Sequence, residues 1–135
     1  MKGKYNIAIG LIIMGLFMAY GFLLIYLRDF APDKAEWIAH YADGKHFEMR
    51  LAHVHGNLFA FLNIVIGFLL ISFKNQLDYE KAVSWLAIIG ILMPLGILAE
   101  VYLGAPPIFV LLGAISMIAS VFLLGIAFFK LKNPE

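Results

Sequence analysis

Two histidines separated by one residue, His53 and His55, fall in the stretch Arg50-Leu51-Ala52-His53-Val54-His55-Gly56-Asn57-Leu58-Phe59-Ala60-Phe61-Leu62-Asn63-Ile64-Val65-Ile66-Gly67, which opens an apolar run reaching Phe73. Imidazole is a common metal ligand, and imidazoles and asparagines are costly to bury in a membrane-length segment. An ionisable residue inside such a segment is by default a functional-site candidate. At about 100° per helical residue, His53 shares a face with Gly56, Ala60, Asn63 and Gly67, the small and polar side expected to face neighbouring helices. His55 lies roughly 200° away from it, with Phe59, Leu62 and Ile66. Two imidazoles at i, i+2 do not easily grip one ion from a regular helix; each can serve a different cofactor on opposite sides.

Three further residues could join this chemistry. His40 and His46 precede the stretch, and Glu100 is the only acidic residue within an apolar run. If the helix extends back, His46 shares a face with His53, but the two stand two turns apart, so one ion does not readily take both. Glu100 lines up with Met93, Gly96 and Gly104, so an inward carboxylate is expected. Plainer explanations exist for each. His40 beside Trp37 and Tyr41, and His46 after it, suit interfacial positions, and His55 could reach into headgroups. Glu100 could bond to a neighbouring helix or to His53, and Asn63 suits an interhelical hydrogen bond. Met14, Met18, Met93 and Met117 suit core filling.

The elements that must position these groups are membrane spans. The 135 residues are 63% hydrophobic, with mean hydropathy +0.91. A soluble domain of this length buries only about two-thirds of its surface, so lipid is the expected solvent. Spans of roughly 20 residues are expected at about 5–27, 51–73, 84–103 and 108–129, and the second helix could begin earlier, near Lys45. The first run is too long for a signal peptide and lacks a small-residue cleavage site before Arg28-Asp29. Within it Ala8, Gly15 and Ala19 form a small-residue stripe suited to helix packing. Between spans one and two, Pro32-Asp33 signals a helix start and Asp43-Gly44 a stop; Trp37 and Tyr41, four apart, suit a short interfacial helix. Pro94 should kink span three, and Gly104-Ala105-Pro106-Pro107 breaks the chain before span four, where Gly113, Ser116 and Ser120 share a face. With no repeat and no second domain, the expected fold is a single all-α, four-transmembrane-helix bundle with a short external interfacial helix between spans one and two.

Charge sets the orientation. Lys2, Lys4, Lys74, Lys81, Lys130 and Lys132 lie on one side; Arg28, Lys34, Lys45 and Arg50, diluted by five acids, lie on the other. The positive-inside bias makes both termini cytoplasmic and residues 28–50 external, in a cytoplasmic (inner) membrane. It also gathers all four histidines and Glu100 at the outer face. Net charge of +1 gives no field for nucleic acid. The absence of cysteine excludes disulfides, thiolate metal sites, iron–sulfur clusters and covalent c-type haem attachment.

The segment Ala52-His53-Val54-His55-Gly56-Asn57-Leu58 resembles the H-x-H helix of the catalytic subunit of haem–copper oxidases and nitric oxide reductases, and looks closest to the cbb3-type and nitric-oxide-reductase versions. It is also similar to short four-span membrane proteins carrying such a motif on their second helix. In the large family the first histidine ligates the high-spin active-site haem and the second the low-spin haem. The resemblance implies these roles for His53 and His55. The copper-site histidines of that family have no counterparts in this chain.

Three functions therefore compete. The first is a haem b-binding membrane protein, oxidase-subunit-I-like, in electron transfer, gas binding or haem handling, with His53, His55, Asn57 and Glu100 around the cofactor. The second is a Cu, Zn or Fe site made by His53, Glu100 and a loop histidine, with His46 and His55 also candidate metal ligands, in metal transport or delivery. The third is a non-catalytic accessory subunit of a larger respiratory or other membrane complex. A homo-oligomer is compatible with each, since a partner chain could supply a further histidine. No nucleophile–base arrangement or phosphate loop is visible, so whether the chain is an enzyme is left open.

Overall fold

A computed structural model describes residues 3–131. Six helices account for most of the chain: α1 (Lys4–Asp29), α2 (Lys34–Ala39), α3 (Gly44–Ser72), α4 (Glu80–Gly90), α5 (Leu92–Leu103) and α6 (Ile108–Phe129). α1, α3, the continuous pair α4–α5 and α6 are each long and apolar enough to cross a membrane. The fold is thus the expected all-α bundle of four spans, with α2 as the short helix between the first two. Lys2 and Lys132, both used in the charge count, and most of the charged tail lie outside the described residues.

α3 is the central helix. It packs on α1 along one side and on α4 and α5 along the other, while α6 closes the bundle against α4 and α5. Its buried residues include Ala52, Gly56, Ala60, Asn63 and Gly67, the small and polar face read from the sequence. Small residues let the two backbones approach closely. A Cβ on Gly10 of α1 would stand 2.7 Å from the Ala60 carbonyl oxygen, and Gly56 lies directly under the Phe17 ring.

On α1 the buried side is not the expected one. Ala8, Gly15 and Ala19 are exposed, and a Cβ on Gly15 would meet no other part of the bundle within 4 Å among the described residues. Asn6, Gly10 and Phe17 face inward instead, and the Ala8/Gly15/Ala19 stripe lies about 180–220° from Asn6 at 100° per residue. The asparagine decides the rotation, because its amide is expensive in hydrocarbon. Asn6 Nδ2 donates to Asn63 Oδ1 at 3.1 Å and to the Ser84 carbonyl at 2.9 Å, and Ser84 Oγ donates to Asn6 Oδ1 at 2.6 Å. Asn63 Nδ2 reaches the Phe59 and Ala87 carbonyls. Asn63 therefore makes the interhelical bond its position suggested, and it ties α1, α3 and α4 together in a fully buried centre.

Pro94 does interrupt the third span. It has no N–H for the Gly90 carbonyl, and the helix divides at Ile91, whose amide turns instead to Ile88 at 3.1 Å. Gly113 of α6 presses its backbone against Leu92 and Met93 at the break. A second difference concerns Asp43-Gly44, which begins α3 rather than ending α2. Asp43 is extended (φ −137°, ψ 166°) and Gly44 takes φ +51°, a turn that glycine allows without strain. α3 accordingly starts near Lys45, the earlier of the two expected boundaries.

Candidate functional site

His53 enters the seam between α3 and α1. Its Nδ1 lies 2.8 Å from the backbone carbonyl oxygen of Phe17. A carbonyl only accepts, so Nδ1 carries the proton and Nε2 keeps its lone pair. Nε2 has no hydrogen-bond partner among the described residues, nor is it sealed from its surroundings. Gly21, one turn beyond Phe17, makes room for the ring: a Cβ there would stand 2.7 Å from Cε1 and 3.4 Å from each ring nitrogen. Asn57 donates from Nδ2 to the His53 carbonyl at 2.9 Å. Its 3.5 Å separation from His53 Nδ1 is not a bond, because both nitrogens carry protons.

Beside this imidazole a cavity of about 630 Å³ opens between the C-terminal half of α1 and the N-terminal half of α3. Met18, Phe22, Leu24 and Ile25 of α1, with Leu51 and Val54 of α3, give it hydrocarbon walls, and His53 and Asn57 line it as well. Arg28, Tyr41, Phe47 and Arg50 also line it, on the side where α1 ends and α3 begins. From Met18 to Arg28 is about 15 Å along a helix. The cavity is an open groove, since Met18, Phe22 and Val54 stay more than half exposed, and it is graded, with apolar walls and an imidazole along it and two guanidiniums at one end, its mouth. Arg50 donates from Nη1 to the Tyr41 carbonyl at 2.8 Å and stacks 3.6 Å over the Tyr41 ring. It has no carboxylate partner among the described residues. Arg28 grips Asp29 through Nε at 2.9 Å and Nη2 at 2.7 Å.

The remaining candidates stay apart from this place. His55 points to the other side of α3, as the angles require. Its Nδ1 donates to Leu51 of its own helix at 3.0 Å, and its ring meets Phe59 edge-on. His46 is stacked on Trp37 with ring centroids 3.9 Å apart; its Nδ1 and the Trp37 indole N–H are both sealed without a partner among the described residues. Trp37 is buried at 5% exposure, so it faces the bundle and not a headgroup layer. His40 is exposed, 3.3 Å from Asp43. Glu100 is exposed too, contrary to the expected inward carboxylate. Gly96 and Ile97 are the last buried residues of α5, so the carboxylate lies past the part of the helix that packs into the bundle. No three His, Cys, Asp or Glu side chains converge as an ion site among the described residues.

Gly21, Arg28, Tyr41 and Arg50 shape the cavity, yet in the sequence the arginines stand out only as topology charges. A signal was present: Arg28 and Arg50 bracket the polar segment, which places both at one membrane level. Nothing marked Gly21, whose role depends on the rotation of α1.

The fold and the site together define a membrane-type four-helix bundle with an amphipathic cavity beside a ligand-competent histidine. No protein-family profile matches the chain, and neither curated proteins nor solved structures give a significant match.

Proposed function

We propose that this chain is a haem b-binding membrane protein in which His53 is the protein ligand to the iron. The observation that carries the proposal is the His53–Phe17 bond: it puts a proton on Nδ1 and, in the neutral ring, leaves the Nε2 lone pair free on a side chain that lines an apolar cavity of about 630 Å³. A hydrogen bond from the ring nitrogen that does not meet the metal sets the tautomer and orientation of a ligating histidine. The cavity size falls in the range of small-molecule and cofactor sites, roughly 300–1,000 Å³. Hydrocarbon walls suit a macrocycle, and the guanidiniums at the mouth suit its carboxylates. When bound, haem supplies one-electron redox chemistry and an iron able to bind diatomic gases.

The lining contains a single imidazole. A bis-histidyl site would therefore need a histidine from a second copy of the chain; with the sixth position left open, the iron would be able to bind a gas, and Met18, which lines the same cavity, is a thioether alternative for an electron-transfer haem. Asn57 supports His53 through its carbonyl, whereas His55 and Glu100 fall outside this cofactor's surroundings. We place the bundle in a cytoplasmic membrane with both termini inside, on the charge asymmetry.

The test is purification of the wild type, His53→Ala, His55→Ala and Glu100→Gln in detergent, with bound haem measured by pyridine haemochrome. The wild type should show a Soret band and near-stoichiometric haem, lost in His53→Ala and kept in the other two. Full occupancy in His53→Ala, or no haem uptake by the wild type, overturns the proposal.

A further inference from the structure

We infer that Arg50, assisted by Arg28, binds the carboxylates of a planar apolar ligand, so that the cavity takes a diacid macrocycle edge-first from the membrane interface and rejects its neutral ester. This rests on the haem reading of the cavity and adds the chemistry that selects and orients the ligand.

Two guanidiniums stand at one end of a mostly apolar cavity, and their local contacts leave them unequally free. Arg50 uses one nitrogen on the Tyr41 carbonyl and sits 3.6 Å over the Tyr41 ring, which restrains its fork and leaves most of its N–H groups without a partner among the described residues. A guanidinium pre-oriented in this way loses little freedom on binding a carboxylate, and the fork matches that anion bidentately. The position is graded along the helix. Arg50 precedes His53 by three residues, about 4.5 Å of rise, and both line the same space. A rigid ligand reaching the imidazole can thus keep an acidic edge at the mouth. Arg28 is held by both oxygens of Asp29, so its charge is largely spent locally and its contribution is secondary. Asp29 is then a restraint: neutralising it should release Arg28 toward the ligand.

The inference is tested with the full chain in nanodiscs of phosphatidylcholine alone, where no lipid carries a net charge. Haemin and haemin dimethyl ester are titrated separately and the Soret shift is followed. The wild type should bind the diacid at least about tenfold more tightly than the ester. Arg50→Gln should reduce that preference to about twofold or less, Arg50→Lys should retain part of it, and Asp29→Asn should increase it. Circular dichroism of each variant checks that the helices are kept, and Arg50→Lys keeps the test decisive if Arg50→Gln fails to fold. Equal binding of diacid and ester by the wild type, or an unchanged preference in Arg50→Gln, overturns the inference while leaving the haem reading standing. Failure of both compounds to give a His53-dependent shift overturns the haem reading, and this inference with it.

Discussion

The imidazole of His53 and the backbone carbonyl of Phe17 meet across the α1–α3 seam, Nδ1 to oxygen at 2.8 Å. Phe17 lies inside a regular helix, where its oxygen already accepts from one turn ahead. Its second lone pair is free for a side chain from outside. The residue one turn ahead is Gly21, and the lack of a side chain there lets the ring come in. One helix thus sets the tautomer of a histidine on the other, and the two can be perturbed separately.

The buried amide cluster gives the first prediction. Asn6→Ala removes both donors of one amide and leaves Asn63 Oδ1 and Ser84 Oγ without the partners they have now. Interhelical side-chain bonds in bilayers contribute about 1–2 kcal/mol in model peptides and less in whole proteins. Asn6→Ala should therefore cost about 2 kcal/mol in SDS-induced unfolding. Ser120→Ala, which loses one bond to the Val83 carbonyl, should cost well under half as much. Equal effects of the two would remove the case for a connected cluster.

That cluster also shows how far the sequence could be read. The face of α3 was legible because Gly56, Ala60, Asn63 and Gly67 fall together at helical spacing and nothing on the helix competes with them. α1 offers two small-residue sides, one with Ala8, Gly15 and Ala19 and one with Gly10 and the polar Asn6. Periodicity alone does not choose between them; the pairing of Asn6 with Asn63 and Ser84 does, and that is a tertiary fact. The same limit applies to the site. His53 was legible from its type and face, whereas the cavity depends on where α1 ends against α3, and Glu100 depends on how far along α5 the packing into the bundle extends.

Trp37 supplies the second prediction. Its ring is buried on His46, but its indole N–H is sealed without an acceptor among the described residues, a penalty that offsets part of the gain from burial. Trp37→Phe should keep most of the stacking and remove the orphaned donor, changing stability by less than about 0.5 kcal/mol. Trp37→Ala leaves a void and should cost about 3 kcal/mol. Thermal unfolding in detergent distinguishes them. A large loss in Trp37→Phe would mean that the N–H has a partner, such as an ordered water.

Orientation is the third. Six Lys/Arg against four is a modest bias, but short connections respond to such counts. A periplasm-active reporter fused to the C-terminus should be silent, and one inserted near residue 40 should be active. The opposite pattern reverses the topology and puts the cavity mouth at the cytoplasmic face.

The last prediction uses two glycines of one helix, six residues apart. Alanine is favoured over glycine in a helix interior by about 1 kcal/mol, so both Gly15→Ala and Gly21→Ala should strengthen α1 intrinsically. A Cβ on Gly15 would meet no other part of the bundle within 4 Å among the described residues, and the substitution should raise or leave unchanged the unfolding temperature without touching haem uptake. At Gly21 the new methyl would stand 2.7 Å from His53 Cε1. The ring must move, and moving it lengthens the 2.8 Å bond to Phe17 that fixes its tautomer. Loss of such an orienting partner typically weakens a metal site by about 10–100-fold. Gly21→Ala should therefore weaken haem binding by at least about tenfold while the helices remain intact by circular dichroism. Wild-type affinity in Gly21→Ala would show that the seat of the His53 ring does not govern binding, even if His53 itself does. Equal losses in Gly15→Ala and Gly21→Ala would point to α1 as a whole rather than to this one contact.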